Sequence, residues 1–178
     1  MPATRLIIRR AFRDEAEMIA ELGARTFRAA FGRDNDPGDM EQYVTTAFAP
    51  EQIAAELADP ASTFLLACIG EEAVGYAKLK AGEAPACVRG PRPVELERLY
   101  LDQDFVGKGY GAALIAASIE QAREDGYETI WLGVWEQNEH ARSFYRRWDF
   151  TEVGSHDFVL GKDVQTDLIM AHTVQSHK

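Results

Sequence analysis

A chain of 178 residues is long enough to bury a core without disulfides or a structural metal, and it fits a single domain, 1–178, with no second unit required. Nineteen Lys and Arg against twenty-nine Asp and Glu give a net charge of −10, which argues against nucleic-acid and anionic-membrane partners and favours cationic ones such as amines. Cys68 and Cys87 have no paired spacing, and the apolar runs are too short for a signal core or a bilayer span, so the expectation is a reduced, cytoplasmic protein.

Leu6 to Arg10 reads as a strand, followed by a helix capped by Asp14 with Met18, Ile19, Leu22, Phe27 and Phe31 near helical spacing. After the break Gly32 to Gly38, Asp39 is expected to cap a second helix running to Phe48. Pro50 opens a third that ends near Asp59-Pro60. Residues 1–62 therefore form a strand and an acidic helical arm suited to holding a substrate. From Thr63 the period becomes that of strands: Thr63 to Ile69 and Val74 to Lys80 form an antiparallel hairpin across Gly70-Glu71-Glu72.

A Gly/Ala/Pro-rich loop leads to the strand Val94 to Leu101, then a glycine turn, then a helix ended by Gly126. Thr129 to Trp135 is apolar throughout, as a buried central strand is. Asn138 caps a helix carrying Ala141, Phe144, Tyr145 and Trp148. The strands Phe150 to Leu160 and Val164 to His172 close the chain across Gly161-Lys162-Asp163. Seven strands in this order build a mixed α/β architecture, not a regular βαβ alternation.

The glycine turn carries the clearest chemistry. Gly107, Gly109 and Gly111 let a backbone approach a ligand closely, and the helix that follows offers free N–H groups and a positive dipole end to an anion. The stretch matches the loose dinucleotide pattern G-x-G-x-x-G/A through Gly107, Gly109 and Ala112. Its distance from the strand and the antiparallel segments before it argue against a dinucleotide fold. Lys108 is followed by Gly109, not by Ser or Thr, so the P-loop pattern fails too.

These residues resemble the GNAT family of N-acetyltransferases, whose Q/R-x-x-G-x-G/A turn falls here on Val106-Gly107-Lys108-Gly109-Tyr110-Gly111, with Val106 in place of Gln or Arg. A second motif, N-x-x-A-x-x-F/L-Y-x-x-x-G-F, falls on Asn138, Ala141, Phe144, Tyr145 and Phe150, with Asp149 in place of Gly. Asp149 is then expected to take a left-handed conformation, which Asp tolerates better than most residues. The arm around Asp36 to Tyr43, the strand Trp131 to Asn138 and the tails Gly154 to Gly161 and Gln165 to Met170 resemble the bacterial spermidine/spermine acetyltransferase-like subgroup.

The resemblance implies a central, mostly antiparallel seven-stranded sheet flanked by helices, with 94–150 as the acetyl-CoA-binding core and acetyl-CoA as cosubstrate. Backbone groups of Leu99, Tyr100 and Leu101 would hold the pantetheine arm and the thioester oxygen. Gly107, Lys108, Gly109, Tyr110, Gly111 and Ala112 would hold the pyrophosphate, and Asn138 would contact the cofactor besides capping its helix. Tyr145 is the general acid for the departing thiolate, since a phenol holds its proton at neutral pH.

For the proton acceptor, strand alternation puts Glu95 and Glu97 on one face with Leu99 and Leu101. The resemblance favours Glu97, with Glu95 in support. His156 and Asp167 on the last hairpin are further candidates for contacting an amine, and Asp36, Asp39 and Glu41 for steering one. The activity implied is direct acetyl transfer in a ternary complex to a primary amine, such as the polyamines spermidine and spermine, with a homodimer as the oligomer to expect and no metal. A protein N-terminus as acceptor, or a non-catalytic acyl-CoA-binding protein of the same fold, are the alternatives.

Overall fold

The computed structural model describes residues 4–175. In chain order they form β1 (Leu6–Arg10), α1 (Ala16–Phe31), α2 (Pro37–Ala47), α3 (Pro50–Ala58), β2 (Ser62–Ile69), β3 (Glu72–Ala81) and β4 (Pro93–Leu101). Then come α4 (Tyr110–Glu124), β5 (Thr129–Trp135), α5 (Glu139–Arg147), β6 (Thr151–Leu160) and β7 (Asp163–Thr173). The seven strands make one sheet in the order β1-β2-β3-β4-β5-β7-β6, antiparallel throughout except for the β4–β5 pair.

Each face of the sheet buries its own apolar cluster. One packs Val94 and Leu96 of β4 and Ile130 and Leu132 of β5 against Leu114 and Ile115 of α4. The other packs Phe64, Leu66 and Tyr76 against Ile19 and Leu22 of α1, Met40 and Val44 of α2, and Ile53 of α3. A single sheet apolar on both faces needs helices on both, so the acidic arm is a covering layer for half of the sheet.

Two helix starts differ from the sequence expectation. Asp14 does not cap α1: it lies in a 3-10 turn, Arg13–Glu15, that precedes the helix. Glu15 instead accepts from the Phe12 N–H (2.7 Å) and is paired with Arg9 (2.6 Å). Asp36, not Asp39, caps α2, accepting from the Asp39 N–H at 2.9 Å. Pro37 decides this, because proline suits the first helical position and puts the cap one residue earlier. Asp39 is thereby free to accept from the Lys162 N–H (2.9 Å), which pins the start of α2 to the β6–β7 turn.

Candidate active site

The parallel pairing of β4 with β5 covers only Pro93↔Thr129, Val94↔Ile130 and Glu95↔Trp131. Beyond it β5 stays paired with β7 as far as Trp135, while β4 stays with β3 as far as Leu101. A wedge-shaped gap therefore opens between the two central strands toward their C-terminal ends, with Glu95 at its vertex. The Asp102 N–H donates to the Val74 carbonyl (2.7 Å). Antiparallel alternation then directs the backbone groups of Tyr100 toward β3 and those of Leu99 and Leu101 into the gap. Two of the three expected backbone positions thus face the opening.

On its β3 side β4 carries a bulge: Lys78 faces Arg98 and Leu79 faces Leu96, which leaves Glu97 without a partner in the ladder. An extra residue also resets the two-residue side-chain period. Leu99 and Leu101 therefore join Val94 and Leu96 on the α4 face. Glu97 turns to the α3 face with Arg98 and Tyr100, and Glu95 shares that face. The expectation that both glutamates lie with Leu99 and Leu101 fails for this reason.

At the mouth of the gap lies the glycine turn. Gly107 and Gly109 have φ of +86° and +83°, and a Cβ on either would meet nothing within 4 Å. No side chain caps the first turn of α4. The backbone donors from Gly107 through Tyr110 and Gly111 to Ala112 thus edge an open helix start whose polarity favours an anion. Lys108 sits 5.4 Å over the Phe105 ring, and Val106, half exposed, offers no polar side chain. Gly109→Val is expected to raise the Kd for CoA by about 5- to 150-fold, through backbone strain of about 1–3 kcal/mol at a left-handed position, not through a clash. Calorimetric titration with CoA measures it.

On the β5 side of the mouth, the Asn138 side chain caps α5 by accepting from the Ala141 N–H at 3.1 Å. Tyr145 is held between Phe144 and Phe150, with ring centroids 5.3 and 5.7 Å away, and burial raises its pKa above the phenol value. Asp149 adopts φ +64°, the left-handed exit expected of it. Gly111 in α4 approaches Phe144 of α5: a Cβ there would lie 3.9 Å from the ring. The two motifs, some thirty residues apart in sequence, are therefore neighbours.

On the opposite face of the sheet, under α2 and α3, the two glutamates meet a set of charges. Lys78, only 1% exposed, is hydrogen-bonded to Glu56 of α3 and stands 2.9 Å from Glu97. Arg98 also reaches Glu56, at 3.1 Å. Glu95 is opposed by no such direct pair, and burial, reinforced by the neighbouring Glu97 charge, pushes its pKa up to about 7. A cavity of about 340 Å³ lined by Glu56, Lys78, Lys80, Glu97 and Arg98 opens here.

Further along, His156 and Asp167 stand 3.7 Å apart over Gly133, where a Cβ would lie 3.3 and 3.2 Å from them, and burial raises the Asp167 pKa. Asp36 and Asp39 serve as the α2 cap and the hairpin tether, and Glu41 pairs with Arg28 at 3.1 Å. Lys78 and Glu56 are absent from the sequence reading. The available signal was a lone lysine inside the otherwise apolar strand Val74 to Leu79.

Residues 17–150 match the model of the acetyltransferase (GNAT) family. The chain belongs to this family. It is an N-acetyltransferase, and acetyl-CoA is its cosubstrate. An uncharacterized N-acetyltransferase encoded in the pepI 3′ region of Lactobacillus delbrueckii subsp. lactis is 36% identical over 164 residues, spanning 92% of this chain and 94% of the relative. The spermine/spermidine N(1)-acetyltransferase of Bacillus subtilis is 35% identical over 66 residues, 36% of this chain and 43% of the relative. Among solved structures, the PaiA N-acetyltransferase of Thermoplasma acidophilum in complex with coenzyme A superposes with a TM-score of 0.78 at 20% identity. That match covers 95% of this chain and 99% of the other, and it bears out the seven-stranded, mostly antiparallel fold.

Proposed function

We propose that this GNAT enzyme acetylates a small primary amine by direct attack within a ternary complex, with a polyamine such as spermidine or spermine first among the acceptors. The observation that carries this reading is the gap itself, with an anion cradle at its mouth and paired carboxylates at its vertex. Acetyl-CoA supplies the acetyl thioester. The N–H groups from Gly107 to Ala112 hold its pyrophosphate, and backbone groups of Leu99 and Leu101 hold the pantetheine arm and polarise the thioester oxygen.

A carboxylate of the Glu95/Glu97 pair removes the proton that an ammonium must lose before its nitrogen can attack. Tyr145 gives a proton to the departing sulfur. Neither cysteine is placed for a covalent relay: Cys68 is buried in the arm-side cluster, and Cys87 lies in the loop against Gly154. Two unpaired cysteines also fit a reducing, cytoplasmic setting.

The polyamine reading is supported by the net charge of −10, by Glu95, Glu97 and Asp167 on the face away from α4, and by the partial likeness to the Bacillus subtilis enzyme. A screen of amines with acetyl-CoA, followed by free-thiol release and product mass, tests it. Turnover with spermidine or spermine at least tenfold above that with amino acids and peptide N-termini is the expected result. The polyamine assignment is overturned by the reverse preference. Tight acetyl-CoA binding with no thiol release from any amine would point to an acyl-CoA-binding role instead.

A further inference from the structure

The geometry points to Lys78 as a positioning residue: it engages Glu97 and leaves Glu95 as the carboxylate that takes the acceptor's proton. This rests on the amine-acetylating reading above. Lys78 lies in β3, opposite Arg98, and its stem is sealed by the arm-side cluster, with the ammonium 5.7 Å from the Phe64 ring centroid. A buried ammonium requires anionic partners, and it has two: Glu56 from α3 and Glu97 from the β4 bulge at 2.9 Å. The bulge is what brings Glu97 within reach, because an unbulged strand places alternate residues on opposite faces.

Glu95 stands two residues earlier, at the vertex of the gap, with Lys80 opposite it in the ladder and Trp131 beside it in β5. The charged groups that act on it are Glu97, which disfavours its ionised form, and Lys80, Lys78 and Arg98, which favour it. An environment that holds one carboxylate in an ion pair and leaves its neighbour poised near neutral pH separates a fixed charge from a proton acceptor.

In the step assigned to Glu95, the proton passes from the substrate ammonium nitrogen to a Glu95 oxygen. The freed nitrogen lone pair forms the C–N bond as the C–S bond breaks, and the sulfur takes its proton from Tyr145. Solvent then receives the Glu95 proton, and the second proton that the nitrogen loses on becoming a neutral amide passes through solvent to restore that of Tyr145, so the protein ends unchanged.

The test is a carbon-13 carboxyl NMR titration of the full chain labelled at glutamate, which needs no acceptor. A resonance with a midpoint of about 7 is expected, absent from Glu95→Gln. It moves to lower pH by about 0.5–1 unit in Glu97→Gln, where a like charge is removed, and to higher pH by a similar amount in Lys78→Met, where a favourable cation is lost. If Lys78→Met does not fold, Glu56→Gln/Lys78→Met removes one anion with the cation and is expected to show the same upward shift.

A purely structural Lys78 would lower Tm and leave the midpoint in place, and that result overturns the inference. So does a resonance near 7 that survives Glu95→Gln and vanishes in Glu97→Gln. With the amine selected by the screen, the acid limb of kcat/KM is expected to move in the same two directions, and kcat to fall about 100-fold in Glu95→Gln but less than about fivefold in Glu97→Gln. Equal loss in both variants sinks the division of roles. A screen without turnover sinks the amine reading and leaves the Lys78 result standing on the titration.

Discussion

Tyr145→Phe is expected to lower kcat by about 10–100-fold while leaving the KM for acetyl-CoA within about twofold of the wild type. A general acid commonly contributes about 10²–10⁴-fold, and the lower part of that range applies because a thiol, with a reference pKa of about 8.5, leaves as thiolate with little help. The ring survives the substitution, so its contacts with Phe144 and Phe150 and the packing of α5 on the sheet are retained. No hydrogen bond joins the Tyr145 hydroxyl to the protein among the described residues, so Tm is expected to change by less than about 2 °C.

Burial raises the phenol's pKa, so Tyr145 stays protonated across the working range, as the proposed acid must. The wild-type kcat profile should accordingly show no loss from phenol ionisation below about pH 10. Steady-state kinetics at saturating acetyl-CoA, by thiol release between pH 6 and 10, reads both effects. An unchanged kcat in the phenylalanine variant removes Tyr145 from the chemistry.

What a local rule governs was legible in the amino-acid order. Asn138 caps α5 and Asp149 turns the helix exit in place of glycine as expected, and the glycine turn lies open, with Gly107 and Gly109 in the left-handed region. Seven strands and five helices lie close to their expected bounds because apolar periodicity reports which face of each element is buried. The α2 cap was misplaced at Asp39 although the signal was present, since Pro37 announces the first helical residue and makes Asp36 the cap.

The bulge was not legible. Alternation counts residues evenly, and nothing in Val94 to Leu101 marks Glu97 as the residue that drops out of the ladder. Its consequence is large because it reassigns the face of every side chain after it. The pairing of Lys78 with Glu56 and Glu97 joins three elements, one of them the helical arm. A sequence pattern shows that a lysine stands among apolar neighbours but not which carboxylates it meets. The splay of β4 from β5 has the same origin: it is a property of two strands and their other partners together.

Glu95→Gln is expected to stabilise the protein above neutral pH even as it removes activity. A carboxyl group with a folded pKa of about 7, against an ordinary value of 4.5, costs the native state free energy wherever it must ionise. Below pH 4.5 it is protonated in both the folded and unfolded chains and contributes no difference. As pH rises from there through 7, the unfolded chain releases its proton first, and the native state loses stability relative to it.

The gap of about 2.5 units corresponds to about 3 kcal/mol, and solvent screening of the partly exposed group reduces this to about 2 kcal/mol. Glutamine is nearly the same size and carries no titrating proton, so the difference between variant and wild type should be smallest below about pH 4.5. It should grow through pH 6–7 and level off near pH 8. For a chain of this length about 2 kcal/mol corresponds to about 4–8 °C in Tm.

Differential scanning calorimetry at pH 5 and pH 8 makes the comparison without any substrate. A variant less stable than the wild type at pH 8, or equally displaced at both pH values, would mean that Glu95 is solvated or paired and not poised. The expected outcome ties catalysis to its thermodynamic cost. The burial and the Glu97 charge that ready Glu95 to accept a proton are the same forces that disfavour its ionised form in the fold, so relieving them trades activity for stability.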